Sequence, residues 1–467
     1  MTAAKIPSVS SSAAAGRGKQ ASRLPRFLRP APPAERRIAD PAEIRRVYAQ
    51  YRLRILTWTT LGYAVFYFVR KNLSVAMPVM EHELGISKAN LGLFLTLHGL
   101  LYGVSKFANG LLGDRANARV FMATGLLMSA AMNFCFGLST AATVLGLFWM
   151  ANGWFQGMGF PPCARLMTHW FSPKELATKM SLWNTSHTIG AAAVLVLCGY
   201  LVRFDWRLCF LVPGVLAVLM ACVLLIRLRD TPESIGLPEI EGTAERSSGA
   251  ADGGSGAGEA GEFRAVLARK VFGNPYIWLF AVANGFVYTI RYGVLDRGPT
   301  LLKEAKGIAL THGSWMVAGF ETAGLAGILL TGWLTDRVFG GRPSRMCLVF
   351  MLLCGVSLCA FWKAPPQRVA LNTALLMTAG FFVYGPQALI GIAAANLATK
   401  RAAATAVGLT GLFGYASTVL SGWGLGWLAQ HYGWDAVFRG LILVAVVGTL
   451  CFAATWRAKP HGYEETT

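Results

Sequence analysis

The chain has 467 residues, of which 54% are hydrophobic and 14% charged, whereas soluble proteins carry about 25% charged residues. Apolar runs of roughly 20 residues recur along it, which excludes an ordinary soluble domain and selects spanning helices over a barrel. The net charge of +20 gathers in the N-terminal tail and alternate loops, so topology explains it, and no nucleic-acid-binding module accompanies it.

Residues 1–52 read as a basic tail, with no acid before Glu35 and no apolar core of a signal peptide. A disordered cytoplasmic tail and an organelle transit peptide both fit that composition. The first six spans are expected near 54–79, 91–112, 120–139, 143–167, 179–202 and 206–227. A polar linker, 228–274, follows and contains Gly253-Gly254-Ser255-Gly256. The second six spans are expected near 275–302, 315–334, 346–362, 370–397, 403–428 and 434–455, with a short tail from 457 to 467. This divides the chain into an N-terminal bundle, 53–227, and a C-terminal bundle, 275–456. Arg115, Arg119, Lys174, Arg227, Arg229, Arg337, Arg342, Arg345, Lys400, Arg401 and Arg457 fall on one side, while Glu81, Glu83 and Glu304 fall on the other. The positive-inside rule then places both termini and the linker in the cytoplasm. The nine cysteines are scattered through apolar segments without CxxC or CxxH spacing, so they read as packing residues and no metal site is expected.

The two halves repeat. Gly110-Leu111-Leu112-Gly113-Asp114-Arg115 ends the second span, and Gly332-Trp333-Leu334-Thr335-Asp336-Arg337 ends the eighth. Asp336 follows Asp114 by 222 residues, and Arg291 follows Arg70 by 221. Two independent markers thus agree on one repeat length, as in transporters that rock two halves around a central site. The glycines permit close packing, and the Asp-Arg pairs can latch one conformation through charge.

Ionisable residues inside spans carry the rest of the functional signal. Arg70 and Arg291 each lie about 15 residues into an apolar helix, roughly 22 Å along it. Their matched register favours a shared anion site over two separate snorkelling side chains. Lys71, next to Arg70, reads as the snorkelling cation. Lys106 is either an interior ion-pair partner or a mobile cation that attracts an anion. Glu321 can pair with Arg291 or Lys106, exchanging partners with substrate or holding a static bridge. Tyr63, Tyr67, Tyr102, Tyr288, Tyr384 and Tyr415 are candidate cavity hydroxyls, against the bland alternative of interface or core aromatics. Tyr67 and Tyr288 share a helix face with the arginines, each about one turn away, whereas Tyr292 is expected to point elsewhere. A histidine such as His187 in an apolar helix is by itself more often a packing residue.

Twelve helices in two halves, with the repeated motif after the second and eighth, resemble the major facilitator superfamily. Narrower strings resemble its organophosphate:phosphate antiporters: Gly62-Tyr63-Ala64-Val65-Phe66-Tyr67-Phe68-Val69-Arg70-Lys71-Asn72, Tyr102-Gly103-Val104-Ser105-Lys106-Phe107, Trp183-Asn184-Thr185-Ser186-His187, Arg291-Tyr292-Gly293-Val294-Leu295-Asp296 and Gly411-Leu412-Phe413-Gly414-Tyr415. The resemblance runs from about residue 50 to 455. It implies an all-α fold of twelve transmembrane helices in two pseudo-symmetric six-helix bundles. It also implies a clamp of Arg70 and Arg291 on the substrate phosphate, a lysine at Lys106 and a site-facing histidine at His187. Three places depart from the pattern. Arg297 replaces a common tryptophan and reads as a surface partner of Asp296. The stretch Gly408-Leu409-Thr410-Gly411 lacks the charge that some hexose-phosphate carriers have, and Asn396 stands where some relatives have Glu.

The reading is therefore an inner-membrane antiporter that needs no cofactor.

 It is expected to exchange glycerol 3-phosphate or hexose 6-phosphate for inorganic phosphate by alternating access, as a monomer in the lipid bilayer. No P-loop, G-x-S-x-G or H-E-x-x-H string is present, so no enzyme, ATP-driven or metal chemistry is expected. The alternative is a transporter-like sensor of external sugar phosphate acting with a histidine kinase, which the string Arg227–Pro238 also resembles. A proton-driven exporter of drugs or cations fits poorly, because a cation site needs buried acids rather than arginines.

Overall fold

The computed structural model describes residues 25–113, 116–239, 268–339, 342–398 and 403–458. Asp114, Arg115, Lys400, Arg401 and most of the linker lie outside the described residues. The helices are α1 (Pro41–Lys71), α2 (Leu73–Leu84), α3 (Lys88–Gly113), α4 (Ala118–Gly137), α5 (Ala142–Gln156), α6 (Phe160–Trp170), α7 (Pro173–Leu201) and α8 (Leu208–Arg227). They continue with α9 (Pro275–Lys306), α10 (Leu310–Arg337), α11 (Pro343–Lys363), α12 (Val369–Leu397), α13 (Ala403–Ala416) and α14 (Leu425–Ala454), with a π-helical segment, Val419–Gly424, between the last two. The fold is an all-α membrane protein.

Among the described residues, nine helical runs are long and apolar enough to cross a membrane. The expected twelve crossings fit these nine runs once three local features are taken into account. The first crossing is broken into α1 and α2, and the fourth into α5 and α6 at Gly157-Met158-Gly159. The final run of 50 residues, Thr405–Ala454, turns back at Gly433, whose φ of 72° suits glycine alone.

The break in the first crossing matters most. Val69 leaves helical geometry (φ −97°, ψ 19°) immediately before Arg70. In a membrane interior the freed carbonyl needs a partner. Asn133 of α4 and Asn152 of α5 supply it, donating through Nδ2 to the Val69 oxygen at 3.1 and 2.7 Å. Asn72 donates to Asn133 Oδ1 and to the Cys209 carbonyl, both at 2.8 Å. A buried asparagine network therefore fixes the turn that aims Arg70.

Packing between the halves is uneven. On the side away from the termini, α2 packs on α9, α3 on the π segment and α14, and α7 on α10. Leu73, Met77, Trp149 and Trp206 there share one apolar core with Phe280, Phe320 and Phe438. Toward the termini, the N-terminal half has a core of its own around Ile55, Phe66, Trp170 and Leu224. Val271, Ile277, Ala394 and Ala406 form another in the C-terminal half. The far side is thus sealed across the halves, while the cores near the termini are separate.

The described part of the N-terminal tail is ordered, contrary to the disordered tail expected. Ala34 N–H donates to the Glu233 carbonyl at 2.9 Å and Ile38 N–H to that of Gly236 at 2.8 Å. Tyr48 donates to the Pro238 carbonyl, and Asp40 caps α1 by accepting from Ala42 and Glu43 N–H. Polar backbone on this segment pairs with the start of the linker, which composition alone does not reveal.

Replacing Asn152 by Leu removes the shorter bond to the Val69 carbonyl. It is expected to destabilise the protein by about 1–3 kcal/mol, read as a lower melting temperature in detergent. An unchanged melting temperature would mean that the break needs no such partner.

Candidate substrate site

Arg70 stands at the seam with no carboxylate partner among the described residues. Aromatic faces surround it instead: its guanidinium carbon lies 3.8 Å from the Tyr102 ring centroid and 5.1 Å from that of Tyr67. Such faces present negative π density to a cation and leave its N–H groups available for an anion. Arg291 is held differently. It is only 3% exposed, donates from Nε to the Tyr384 hydroxyl at 2.7 Å and lies 3.5 Å from Glu321 Oε2. Tyr384 in turn donates to the other Glu321 oxygen. Three helices, α9, α10 and α12, thus close a triad around one charge, and a Cβ at Gly324 would overlap the Tyr384 ring that completes it.

The sequence-predicted residues largely converge. Lys106 of α3 reaches across to the Tyr415 hydroxyl at 3.3 Å, with its ammonium 4.3 Å from the Phe160 ring centroid. His187 is buried, with its ring 5.9 Å from Tyr67. The close approach of α7 to α1 at Gly190, where a Cβ would come within 2.8 Å of Ala64 Cα, allows that contact. Tyr63 packs on Tyr67 at 5.8 Å, Tyr102 on Tyr415 at 5.3 Å and Tyr288 on Tyr415 at 6.4 Å. The contacts of Tyr415 with Tyr102 and Tyr288 cross from one half to the other. Asp336 and Arg337 stand apart from it at the end of α10, and Arg337 is exposed.

Three expectations are corrected. Lys71 does not snorkel: it is 8% exposed and pairs with Asp296 Oδ1 across the halves at 2.6 Å. The break after Val69 turns it toward α9. Tyr292 does not point away, since its ring lies 5.7 Å from the Arg291 guanidinium carbon and 4.7 Å from Lys71 Nζ. Arg297 is not a surface partner of Asp296. It is 2% exposed and donates from Nη2 to the carbonyls of Lys88 (3.1 Å) and Gly422 (2.8 Å), one in each half. A Cβ at Gly92 or Gly426 would overlap its guanidinium, so the seam has room for arginine only because glycines surround it.

A second set of residues, missed in the sequence, holds Gly113 and Ala116, which flank the first Asp-Arg motif in the chain. Arg165 of α6 donates to the carbonyls of Gly113 (3.2 Å) and Ala116, on either side of Asp114 and Arg115, and lies 3.5 Å from Asp230. Asp230 also accepts from Ala118 N–H at 2.9 Å and Ala31 N–H at 3.2 Å. The N-terminal segment and the start of the linker therefore meet on one carboxylate.

A model of the Major Facilitator Superfamily matches residues 59–422 and 298–467. The chain is 39% identical over 430 residues to a probable hexose phosphate transport protein of Chlamydia muridarum, covering 90% of this chain and 94% of that protein. It is 38% identical to a glycerol-3-phosphate transporter of Bacillus subtilis, covering 92% and 97%. It is also 38% identical to the membrane sensor protein UhpC of Salmonella typhimurium, covering 88% and 93%. In fold it is similar to a bacterial homologue of the human lysosomal transporter Spinster in an inward-facing, occupied conformation. The TM-score is 0.71 at 15% identity, over 89% of this chain and 99% of that one.

Exchanging Arg297 for Met removes both carbonyl contacts at the sealed end. In a cysteine-free background, a cysteine placed at Thr96 is then expected to react several-fold faster with an impermeant maleimide added from the far side. Equal labelling rates would mean that Arg297 does not hold the seam.

Proposed function

The chain belongs to the major facilitator superfamily, and we propose that it exchanges a phosphorylated metabolite, glycerol 3-phosphate or a hexose 6-phosphate, for inorganic phosphate by alternating access. The observation that carries this reading is the unequal pair of arginines, one from each half, within one tyrosine-lined seam. Arg70 has no carboxylate partner among the described residues, whereas Arg291 is held by Glu321 and Tyr384. Similarity to hexose phosphate and glycerol-3-phosphate transporters supports the phosphoryl handle.

The chemistry follows from charge. A guanidinium at the centre of a membrane costs about 2.5–3.5 kcal/mol on insertion scales. A phosphate dianion offers oxygens to both forks and offsets both charges at once. Arg70 captures the anion first, because it has no acid to release. Engagement of Arg291 then competes with Glu321, so binding exchanges one ion pair for another and draws the halves together. Lys106 supplies a mobile positive charge beside the route, and His187 and the tyrosine hydroxyls can bond to phosphate or sugar oxygens. Without substrate the guanidiniums lack a common counter-ion, which disfavours closure and ties each reorientation to a bound anion.

In this reading the bundles 53–227 and 275–456 rock about the seam while the linker 228–274 joins them. The protein works as a monomer in the inner membrane with both termini in the cytoplasm. The sealed far side and separate cores near the termini then correspond to an inward-facing carrier. Similarity to a membrane sensor protein supports a second reading, in which the same pocket reports external sugar phosphate to a histidine kinase.

The test is labelled-phosphate exchange in phosphate-loaded proteoliposomes. Arg70→Lys and Arg291→Lys keep the charge but lose the planar fork, and each is expected to lower exchange by about a hundredfold. Wild-type rates in both variants would remove the clamp. Phosphate binding without exchange in the wild type would favour the sensor.

A further inference from the structure

His98 lies on α3 one turn before Tyr102 and two turns before Lys106, so the three share one helix face. It is 6% exposed. Its Nδ1 lies 3.0 Å from the Trp149 carbonyl, while its Nε2 has no partner among the described residues. A carbonyl only accepts, so Nδ1 carries the hydrogen, and in the neutral ring Nε2 keeps its lone pair. His98 lines a cavity of about 30 Å³ together with Arg70, Lys71, Tyr102, Asp296 and Tyr415. That volume suits one hydroxyl-sized group. A buried acceptor left unmatched beside an anion clamp is costly unless something donates to it.

We propose that His98 is a specificity-determining residue that accepts a hydrogen bond from an O–H group carried by the bound anion. This rests on the phosphate-clamp reading and adds a selection rule to it. Arg70, Lys106 and the tyrosine hydroxyls can all donate, and donors serve the oxygens of sulfate and phosphate alike. An acceptor separates the two anions: hydrogen phosphate has a P–O–H to give, and sulfate has none. A carbinol C–O–H of an organophosphate presents the same chemistry. Asp296 also lines the cavity, but its Oδ1 already accepts from Lys71 at 2.6 Å, whereas Nε2 has no partner among the described residues.

Thermal-shift titrations of the purified full chain in detergent test this with four probes. Inorganic phosphate against sulfate reads the P–O–H, and glycerol 3-phosphate against propyl phosphate reads the C–O–H. His98→Asn can keep the bond to the Trp149 carbonyl while removing the acceptor at the Nε2 position. His98→Gln does the reverse. The hydroxyl-bearing member of at least one pair is expected to bind about tenfold more tightly in the wild type. That preference should collapse in the Asn variant and largely persist in the Gln variant. Which pair collapses identifies the source of the hydroxyl. Unchanged preferences in the Asn variant, or none in a wild type that still binds phosphate, would overturn the inference and leave the clamp intact. If the Asn variant does not fold, loss of the preference in the Gln variant would overturn it. A wild type that binds none of the four would remove the clamp and this inference together.

Discussion

The desolvation of two guanidinium groups is the constraint from which the rest of this architecture follows. Neither can shed its charge, and each must be compensated inside an apolar bundle. The two are compensated by different means. Arg291 is held by a carboxylate and a phenol on neighbouring helices. Arg70 lies against ring faces with no carboxylate partner among the described residues, and its position comes from a break in its own helix that two asparagines stabilise. The break costs a helical hydrogen bond and returns it through side chains, which makes Arg70's location a property of three helices.

The same break turns Lys71 into the sealed side of the seam, where it meets Asp296. One irregular residue, Val69, thereby sets two cations at different tasks: Arg70 toward the pocket and Lys71 toward the opposite half. Arg297 adds two further contacts to that seal without any acid, using carbonyl oxygens from both halves. Closure on this side draws on neighbouring positions of α1 and α9, alongside the Lys88–Glu304 pair at 3.1 Å and the packing of α3 and α7 on the other half. On the proposed mechanism, an anion drawn between Arg70 and Arg291 acts one residue away from the bonds that must break for the far side to open. The distance between binding and gating is a single peptide on the first helix.

Much of this was legible in the sequence, for physical reasons. Long apolar helices announce themselves by length, and a duplicated arginine at one repeat spacing marks equivalent places in two halves. The breaks were less visible. The fourth crossing reads as one apolar run, although Pro161 and Pro162 in the first turn of α6 mark a new helix start just after Gly157-Met158-Gly159. Lys71 was misread because helical geometry separates neighbours by about 100°, and that rule fails where Val69 leaves the helix. Arg297 was misread because its partners are backbone carbonyls, which leave no signature in side-chain charge. Asp230 and Arg165 meet only through the fold, across 65 residues of chain. His98 did carry a signal, the four-residue spacing to Tyr102, although its open lone pair is visible only in three dimensions.

A structure determined with inorganic phosphate bound is the most direct measurement of the central claim. The account predicts one phosphate within hydrogen-bonding distance of both Arg70 and Arg291, with the Glu321 carboxylate moved away from Arg291. Phosphate bound to a single arginine, or lodged elsewhere while Glu321 keeps its place, would contradict it.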